Sequence, residues 1–352
     1  PEVLEGDERN RRYAEVLLRK ATATPEQRQE RREQLGLAPT PREVVYEENS
    51  LRLYRFVRGT EAATTGPPVF IVPSLILRWY ILDLMKGHSL IENLVEAGRD
   101  VWLVDWGVPG PEHGEFSFET YVGTFLRRCV RQVRRRTGYD AVQMIGQCLG
   151  GDLAVMFAAA YPKHVERLVC LTTPIDFDDA GLLSLWTRKE TFPMEAIVAG
   201  FGPVIPAEFV HAWFRFLDVK ATVESYKMLY KGVLDEGFMR GYSALDEWLE
   251  DKVPMAAAAF RSLICDLYQE NRLVKGEIEV NGVRLDLERI TCPVLNISAQ
   301  LDHVFPERSV TALNERVGGP VTYHRAPTGH VTCVVLFPQR QETFLRIAQF
   351  LS

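Results

Sequence analysis

Five short apolar runs recur along the chain, and they constrain its fold more than any other feature. They occupy residues 69–72, 101–104, 142–145, 168–171 and 294–297. Helical patterns separate most of them, for example over residues 89–97 and 118–136. Apolar strands that alternate with helices are typical of a mostly parallel sheet covered on both faces. The pattern therefore predicts an α/β fold, preceded by a β-hairpin around Asn49-Ser50.

This rhythm stops between residues 176 and 285, where several helical patterns follow one another. They span residues 195–199, 207–217, 222–234 and 256–271, and an alternating run around Asn281-Gly282 predicts a closing hairpin. A helical block between two sheet strands is expected to cap the carboxyl ends of the strands, where open α/β sheets bind ligands. We therefore divide the chain into an α/β core (41–175 and 286–352) and a cap insertion (176–285).

Residues 1–40 form a separate segment that is dense in Arg, Glu and Gln. A thin apolar stripe predicts one or two surface helices, broken near Pro25. Such a charged segment is either a solvated face or an arm that binds a partner.

Composition excludes several functional classes. The chain has 352 residues, 46% of them hydrophobic, and a net charge of -6, which gives no reason to expect nucleic acid as a partner. The first twenty residues are charged and lack the apolar run of a secretory signal. No apolar stretch reaches the ~18 residues that a membrane span requires. We therefore expect a cytoplasmic protein with reduced thiols.

The sharpest local signal is the run Gly-Gln-Cys-Leu-Gly-Gly at residues 146–151, between a predicted strand and a predicted helix. This is the context of a nucleophile elbow, with Cys148 in the place of the usual serine. The start of a helix favours a thiolate at Cys148, and the N–H of Leu149 would face a developing oxyanion. The alternative is a buried structural cysteine beside a glycine turn.

Six cysteines occur in the chain, and none forms a C-x-x-C pair, so zinc ribbons and thioredoxin-type motifs are not expected. The other five follow strand or helix patterns and are expected to be structural: Cys129, Cys170, Cys265, Cys292 and Cys333.

A nucleophile elbow predicts the chain order nucleophile, acid, histidine. Asp302 follows the apolar run at 294–297, and His330 follows a short strand and a glycine turn. We expect Asp302 to orient His330, and His330 to accept the thiol proton of Cys148. Asp302 could instead cap a turn, which would leave Asp176 as the acid. The adjacent His303 is expected to support the site or to pack beneath it.

The second oxyanion donor is expected in the loop after the strand at 69–72. That loop lacks the His-Gly pattern of lipases, and a main-chain N–H of Ser74 or Leu75 is the candidate.

Taken together, these residues resemble the PhaC family of polyhydroxyalkanoate (PHA) synthases, most of all class III or the related class IV. The similar segments are residues 40–45, 71–75, 80–84, 105–107, 146–151, 168–177, 182–186, 290–297, 302–303 and 329–330. The sequence departs from the family pattern at residues 76–78 and 331–336, beside the proposed oxyanion loop and base. These departures leave the acyl chain length, and polymerase activity itself, open.

The resemblance implies an α/β-hydrolase fold and a synthase that polymerises 3-hydroxyacyl-CoA. It implies a triad of Cys148, His330 and Asp302 beneath a mobile cap, with the CoA thioester as substrate and no cofactor or metal. It also implies a PhaE-type partner subunit, a homodimer and association with the surface of polymer granules.

The thiol itself favours synthesis over hydrolysis. Transfer of an acyl group from CoA to Cys148 exchanges one thioester for another, so the group stays activated for transfer to a hydroxyl. Aromatic residues of the cap would exclude water or simply pack its core: Trp186, Phe192, Phe201, Phe209, Trp213, Phe214 and Phe216. A thioesterase or ester hydrolase on the same triad, and a non-catalytic polymer- or partner-binding protein, are the alternatives.

Overall fold

A computed structural model describes residues 2–57, 64–217, 219–335 and 340–352. Its centre is an eight-stranded sheet in the order β1-β2-β4-β3-β5-β6-β7-β8. The strands are β1 (Arg42–Glu48), β2 (Leu51–Phe56), β3 (Val69–Val72), β4 (Val101–Asp105), β5 (Val142–Gln147), β6 (Val165–Leu171), β7 (Val294–Ala299) and β8 (Val321–Ala326). β1 and β2 form the predicted antiparallel hairpin, and β3 to β8 pair in parallel.

Both faces of the sheet are buried at its central strands, which explains why those strands are almost continuously apolar. In β3, Phe70 and Val72 face one apolar core, whereas Val69 and Ile71 face the other. All four side chains are fully buried. Because successive side chains of a strand point to opposite faces, a strand covered on both sides must be apolar at every position. The predicted α/β layering is confirmed.

Helices cover the sheet and fill the interval between β6 and β7. They are α1 (Glu2–Thr22), α2 (Pro25–Leu35), α3 (Leu90–Glu96), α4 (Arg127–Thr137), α5 (Leu149–Ala160), α6 (Leu182–Trp186), α7 (Met194–Phe201), α8 (Ala207–Leu217), α9 (Val219–Gly232), α10 (Glu236–Glu250), α11 (Ala257–Arg261), α12 (Arg272–Lys275), α13 (Glu307–Thr311) and α14 (Arg340–Phe350). π-Helical turns at Thr120–Leu126 and Ser262–Gln269 adjoin α4 and α11.

Helices α6 to α12 form the block that the sequence predicts between β6 and β7, and they are called the cap helices below. The hairpin Glu279–Val280 with Val283–Arg284 closes the block at the predicted turn. Helix α10 was not predicted. Two glycines weaken its intrinsic helix propensity, but Asp235 caps it by accepting the N–H of Phe238, and Trp248 is buried in the core.

The N-terminal helices lie against the cap helices. Thr24 and Gln27 form a capping box at the start of α2, and Pro25 occupies its first turn, so the predicted break near Pro25 is confirmed. Val16 of α1 packs against α9. Arg28 and Arg31 of α2 pair with the fully buried carboxylate of Glu247 in α10. No helix in the described part of the chain is long and apolar enough to cross a lipid bilayer.

Candidate active site

Cys148 occupies a strained turn between β5 and α5. Its backbone has φ 52° and ψ −131°, outside the regions that residues with a side chain normally adopt. The Cys148 N–H donates to the Leu171 carbonyl (2.9 Å), and the Cys148 carbonyl accepts from the Gly151 N–H (2.7 Å). The predicted strand, turn and helix are therefore present, with Cys148 at the amino end of α5.

Three glycines are required around this turn, because each is too close to a neighbour to carry a side chain. A Cβ atom on Gly146 would lie 2.5 Å from the Cα atom of Gly151. One on Gly150 would lie 2.3 Å from the Val72 carbonyl oxygen, and one on Gly151 would lie 1.8 Å from Thr173 Oγ1. The glycines thus let α5 start directly against the ends of β3 and β6.

The acid and the histidine converge from two loops at the carboxyl edge of the sheet. His330 Nδ1 and Asp302 Oδ2 are 2.8 Å apart, and both side chains are nearly inaccessible to solvent. Asp302 Oδ1 accepts the N–H groups of Val304 (2.8 Å) and Phe305 (3.0 Å). Asp302 therefore caps its turn and also pairs with His330.

Electrostatics keep this pair charged. Burial, the largest influence on His330, lowers its pKa, but charge attraction and hydrogen bonds from Asp302 and Cys148 raise it to about 10. For Asp302, burial is again the largest influence and raises the pKa, yet His330 and the main-chain hydrogen bonds bring it below the ordinary value. With Nδ1 bound to Asp302, the other ring nitrogen of His330 is left for Cys148.

Asp176 and His303 lie in other environments. Asp176 Oδ1 accepts a hydrogen bond from Asn271 (2.7 Å), so its carboxylate joins the end of β6 to the cap. The expectation that His303 packs beneath the site is wrong, because the turn capped by Asp302 leaves its side chain exposed. Phe305 packs on the His330 ring instead, with ring centroids 5.5 Å apart.

The candidate oxyanion donors lie in two different parts of the structure. Leu149 is the first residue of α5, where the N–H has no acceptor within the helix. Ser74 and Leu75 are buried but line a small neighbouring cavity. Ile76, the first residue of the departure at 76–78, lines the cavity that contains Cys148.

Above Cys148 lies a small, mostly apolar cavity of about 40 Å³. The core supplies Ile76, Cys148, Leu149, Asp152, Pro174 and Phe305, and the cap supplies Phe177, Leu183, Val210, Phe260, Leu263, Ile264 and Tyr268. The cap therefore covers Cys148. Sequence reasoning missed Asp152 and Tyr268; the signal for Asp152 was a single carboxylate in an otherwise apolar helix.

The predicted aromatic residues of the cap behave in three ways. Phe192 and Phe209 pack against the core beneath the cap. Trp186 and Phe201 are partly exposed, at 37% and 42%. The side chains of Trp213, Phe214 and Phe216 lie outside the described residues.

The remaining five cysteines are free thiols that burial holds in the protonated state. Burial raises the pKa of Cys292 to about 11 and of Cys333 to about 12, and raises those of Cys129, Cys170 and Cys265. Among the described residues, no cluster of three His, Cys, Asp or Glu side chains could hold a metal ion.

The chain matches two protein families. Residues 67–335 match the family described as the alpha/beta hydrolase fold. Residues 14–94 match the family described as the poly-beta-hydroxybutyrate polymerase (PhaC) N-terminus. The second match includes the end of α1 and all of α2, the N-terminal helices that pack on the cap.

Several curated relatives carry the name poly(3-hydroxyalkanoate) polymerase subunit PhaC. The protein of Allochromatium vinosum is 32% identical over 91% of this chain and 90% of its own length. That of Haloarcula marismortui is 31% identical over 93% of this chain and 70% of its own length. That of Haloferax mediterranei is 34% identical over 88% of this chain, which spans 63% of that relative's length.

Solved structures share the architecture. An epoxide hydrolase of Bacillus megaterium aligns with a TM-score of 0.52 and 16% identity, covering 87% of this chain and 99% of that chain. A monoacylglycerol lipase of Paleococcus ferrophilus aligns with a TM-score of 0.51 and 17% identity, covering 85% of this chain and 98% of that chain. At these identities the likeness concerns the fold alone. With an α/β-hydrolase fold and a 32% identical relative matched over 90% of its own length, this chain belongs to the poly(3-hydroxyalkanoate) polymerase (PhaC) family of acyltransferase-type enzymes.

Proposed function

We propose that this chain polymerises short-chain 3-hydroxyacyl-CoA, such as 3-hydroxybutyryl-CoA, into polyhydroxyalkanoate with release of CoA. The observation that carries the proposal is the strained elbow of Cys148 beside the His330–Asp302 pair, beneath an apolar cavity. Family membership supports the polymerisation.

In the first step, Cys148 Sγ attacks the thioester carbonyl carbon of the substrate. The N–H of Leu149 and a main-chain N–H of Ser74 or Leu75 stabilise the oxyanion. The bond to the CoA sulfur then breaks, and His330 protonates the departing CoA thiolate. One thioester replaces another, so the acyl group on Cys148 remains activated, and the step needs neither metal nor cofactor.

In the second step, the 3-hydroxyl of another hydroxyacyl unit attacks the acyl-cysteine. His330 takes the hydroxyl proton, an oxygen ester forms, and Cys148 leaves as a thiolate. Conversion of a thioester to an oxygen ester runs downhill. The cap helices above Cys148 keep water from competing with the hydroxyl.

A second subunit and a polymer surface are further parts of the proposal. The relatives' names describe a polymerase subunit, which supports the presence of a second, PhaE-type subunit. We propose a homodimer as well. Leu182, Leu185, Trp186 and Phe201 expose apolar surface on the cap, which supports contact with the polymer of a cytoplasmic granule.

Incubation with 3-hydroxybutyryl-CoA tests the reaction by following CoA release and product size together. CoA with oligoester is the expected result, and Cys148→Ala should abolish both while the variant stays folded. Release of CoA with only monomeric acid would identify a thioesterase instead.

Alkylation tests the nucleophile independently of substrate. Iodoacetamide at neutral pH is expected to label Cys148 rapidly and stoichiometrically, because the other five thiols are held protonated by burial. Equally slow labelling of all six thiols would contradict the proposal and favour a non-catalytic binding protein.

A further inference from the structure

Asp152 is a buried carboxylate that the proposed reaction does not use. It lies in the first turn of α5, four residues after Cys148, and its exposed fraction is 0%. Neither carboxyl oxygen has a hydrogen-bond partner, whereas most buried polar groups in proteins do. Because an unpaired buried carboxyl group does not stabilise the fold, its presence requires another explanation.

The surroundings of Asp152 connect it to the reacting atoms. It lines the cavity that also contains Cys148 and Tyr268, and it interacts electrostatically with both. The remaining cavity walls near it are apolar, including Phe177, which packs against the Tyr268 ring. Asp152 therefore supplies a carboxyl group to the lining of the cavity that contains Cys148.

Burial determines the form of this carboxyl group. Desolvation raises the Asp152 pKa well above its ordinary value, interaction with Cys148 raises it further, and its own main-chain N–H offsets this in part. The shift favours the protonated carboxyl group, which both donates and accepts a hydrogen bond. A protonated aspartate that donates to a ligand from an apolar site is an established arrangement in enzymes.

We propose that Asp152 hydrogen-bonds the 3-hydroxyl of the acyl group carried on Cys148 and thereby selects 3-hydroxyacyl over unsubstituted acyl thioesters. This inference rests on the proposed acyltransferase function. Cys148 immediately precedes α5 and Asp152 lies in its first turn, and both residues line the same cavity. The 3-hydroxyl lies two carbons beyond the thioester carbonyl, so an acyl chain on Sγ that enters this cavity carries the hydroxyl toward Asp152.

The test measures single-turnover acylation of the full chain by 3-hydroxybutyryl-CoA and by butyryl-CoA, which lacks only the hydroxyl. CoA release and the mass of the Cys148 adduct are followed for each. The wild-type chain is expected to prefer the hydroxylated substrate. Asp152→Leu, which keeps the shape but removes both oxygens, should reduce this preference about 10- to 100-fold. Asp152→Asn should retain most of it, because the amide also donates and accepts.

Cys170→Ala is the matched control. Cys170 is fully buried and interacts electrostatically with Asp152, but it does not line the cavity. The preference should survive this change, which alters packing near Asp152 without removing the carboxyl group. Loss of the preference in Cys170→Ala to the same extent would assign the effect to packing and overturn the inference.

Three other outcomes would also overturn it. One is an equal loss of acylation for both substrates in Asp152→Leu, which indicates a structural role. Another is acylation of the wild-type chain without any preference, which leaves the proposed function intact. The third concerns the infrared spectrum at neutral pH: the wild-type chain would show no carboxylic-acid band that disappears in Asp152→Asn. Failure of both thioesters to acylate wild-type Cys148 would refute the proposed function and this inference together.

Discussion

Replacing Asp152 by leucine should stabilise the folded protein, although the residue lines the same cavity as Cys148. The side chain is fully buried and its two oxygens have no hydrogen-bond partner. Leucine has the same branched shape, and the adjoining cavity leaves room for its slightly larger methyl groups. The substitution therefore removes an unpaired polar group without opening a hole.

The magnitude follows from the cost of an unpaired buried group, about 1–3 kcal/mol. An unfolding entropy of about 2.1 cal/mol/K per residue converts this, for a chain of 352 residues, into a rise in Tm of about 1–4 °C. This value applies near pH 4, where the carboxyl group is protonated in the folded chain and about half protonated in the unfolded chain, so that ionisation contributes little.

The advantage of leucine should grow with pH. Because the folded pKa of Asp152 is raised, the folded chain binds one more proton than the unfolded chain once the pH exceeds about 3.8. The wild type therefore loses about 1.4 kcal/mol for each pH unit between that value and the folded pKa, or about 2 °C in Tm. Asp152→Asn removes the titration but keeps an unpaired group, so its gain should be near zero at about pH 4 and rise with the same slope.

Thermal unfolding of the three proteins, followed by near-ultraviolet circular dichroism from about pH 4 to about pH 8, measures both effects. A lower Tm for Asp152→Leu at every pH would refute the reasoning. A gain that does not change with pH would show that the folded chain ionises Asp152 as readily as the unfolded chain does.

Other predictions concern the remaining site residues. Asp302→Ala should slow acyl transfer by about 100-fold or more, and Asp176→Ala only by a few-fold; the reverse ranking in a CoA-release assay would reassign the acid. Because the pKa of His330 is raised to about 10, its stabilising charge is fully present below about 6.5 and lost as the pH rises through about 10. The Tm deficit of His330→Gln should therefore shrink between about pH 7 and about pH 10.5, and a constant deficit would contradict the charged pair with Asp302. Gly151→Ala would place a methyl group 1.8 Å from a buried hydroxyl oxygen, so it should cost about 1–3 kcal/mol in denaturant unfolding and slow alkylation of Cys148; wild-type stability would show that the turn can relax.

Local sequence patterns were sufficient for the sheet and the elbow. The strand from Val142 to Gln147, the positive φ at Cys148 and the helix from Leu149 all depend on residues that are neighbours in the chain. Helix α10 shows where local patterns fail, because burial of Trp248 outweighs the low helix propensity of its glycines.

Apolar periodicity and glycine turns act over a few residues, so local patterns predict the layered α/β fold and the elbow at Cys148. Which carboxylate reaches His330 depends on the folded molecule, because Asp302 and Asp176 both follow strands and differ in what packs beside them. The tertiary structure also decided that His303 is exposed and that Asp152 is buried without a partner. The burial and charge of a side chain depend on segments far away in the chain, and these meet only in the folded molecule.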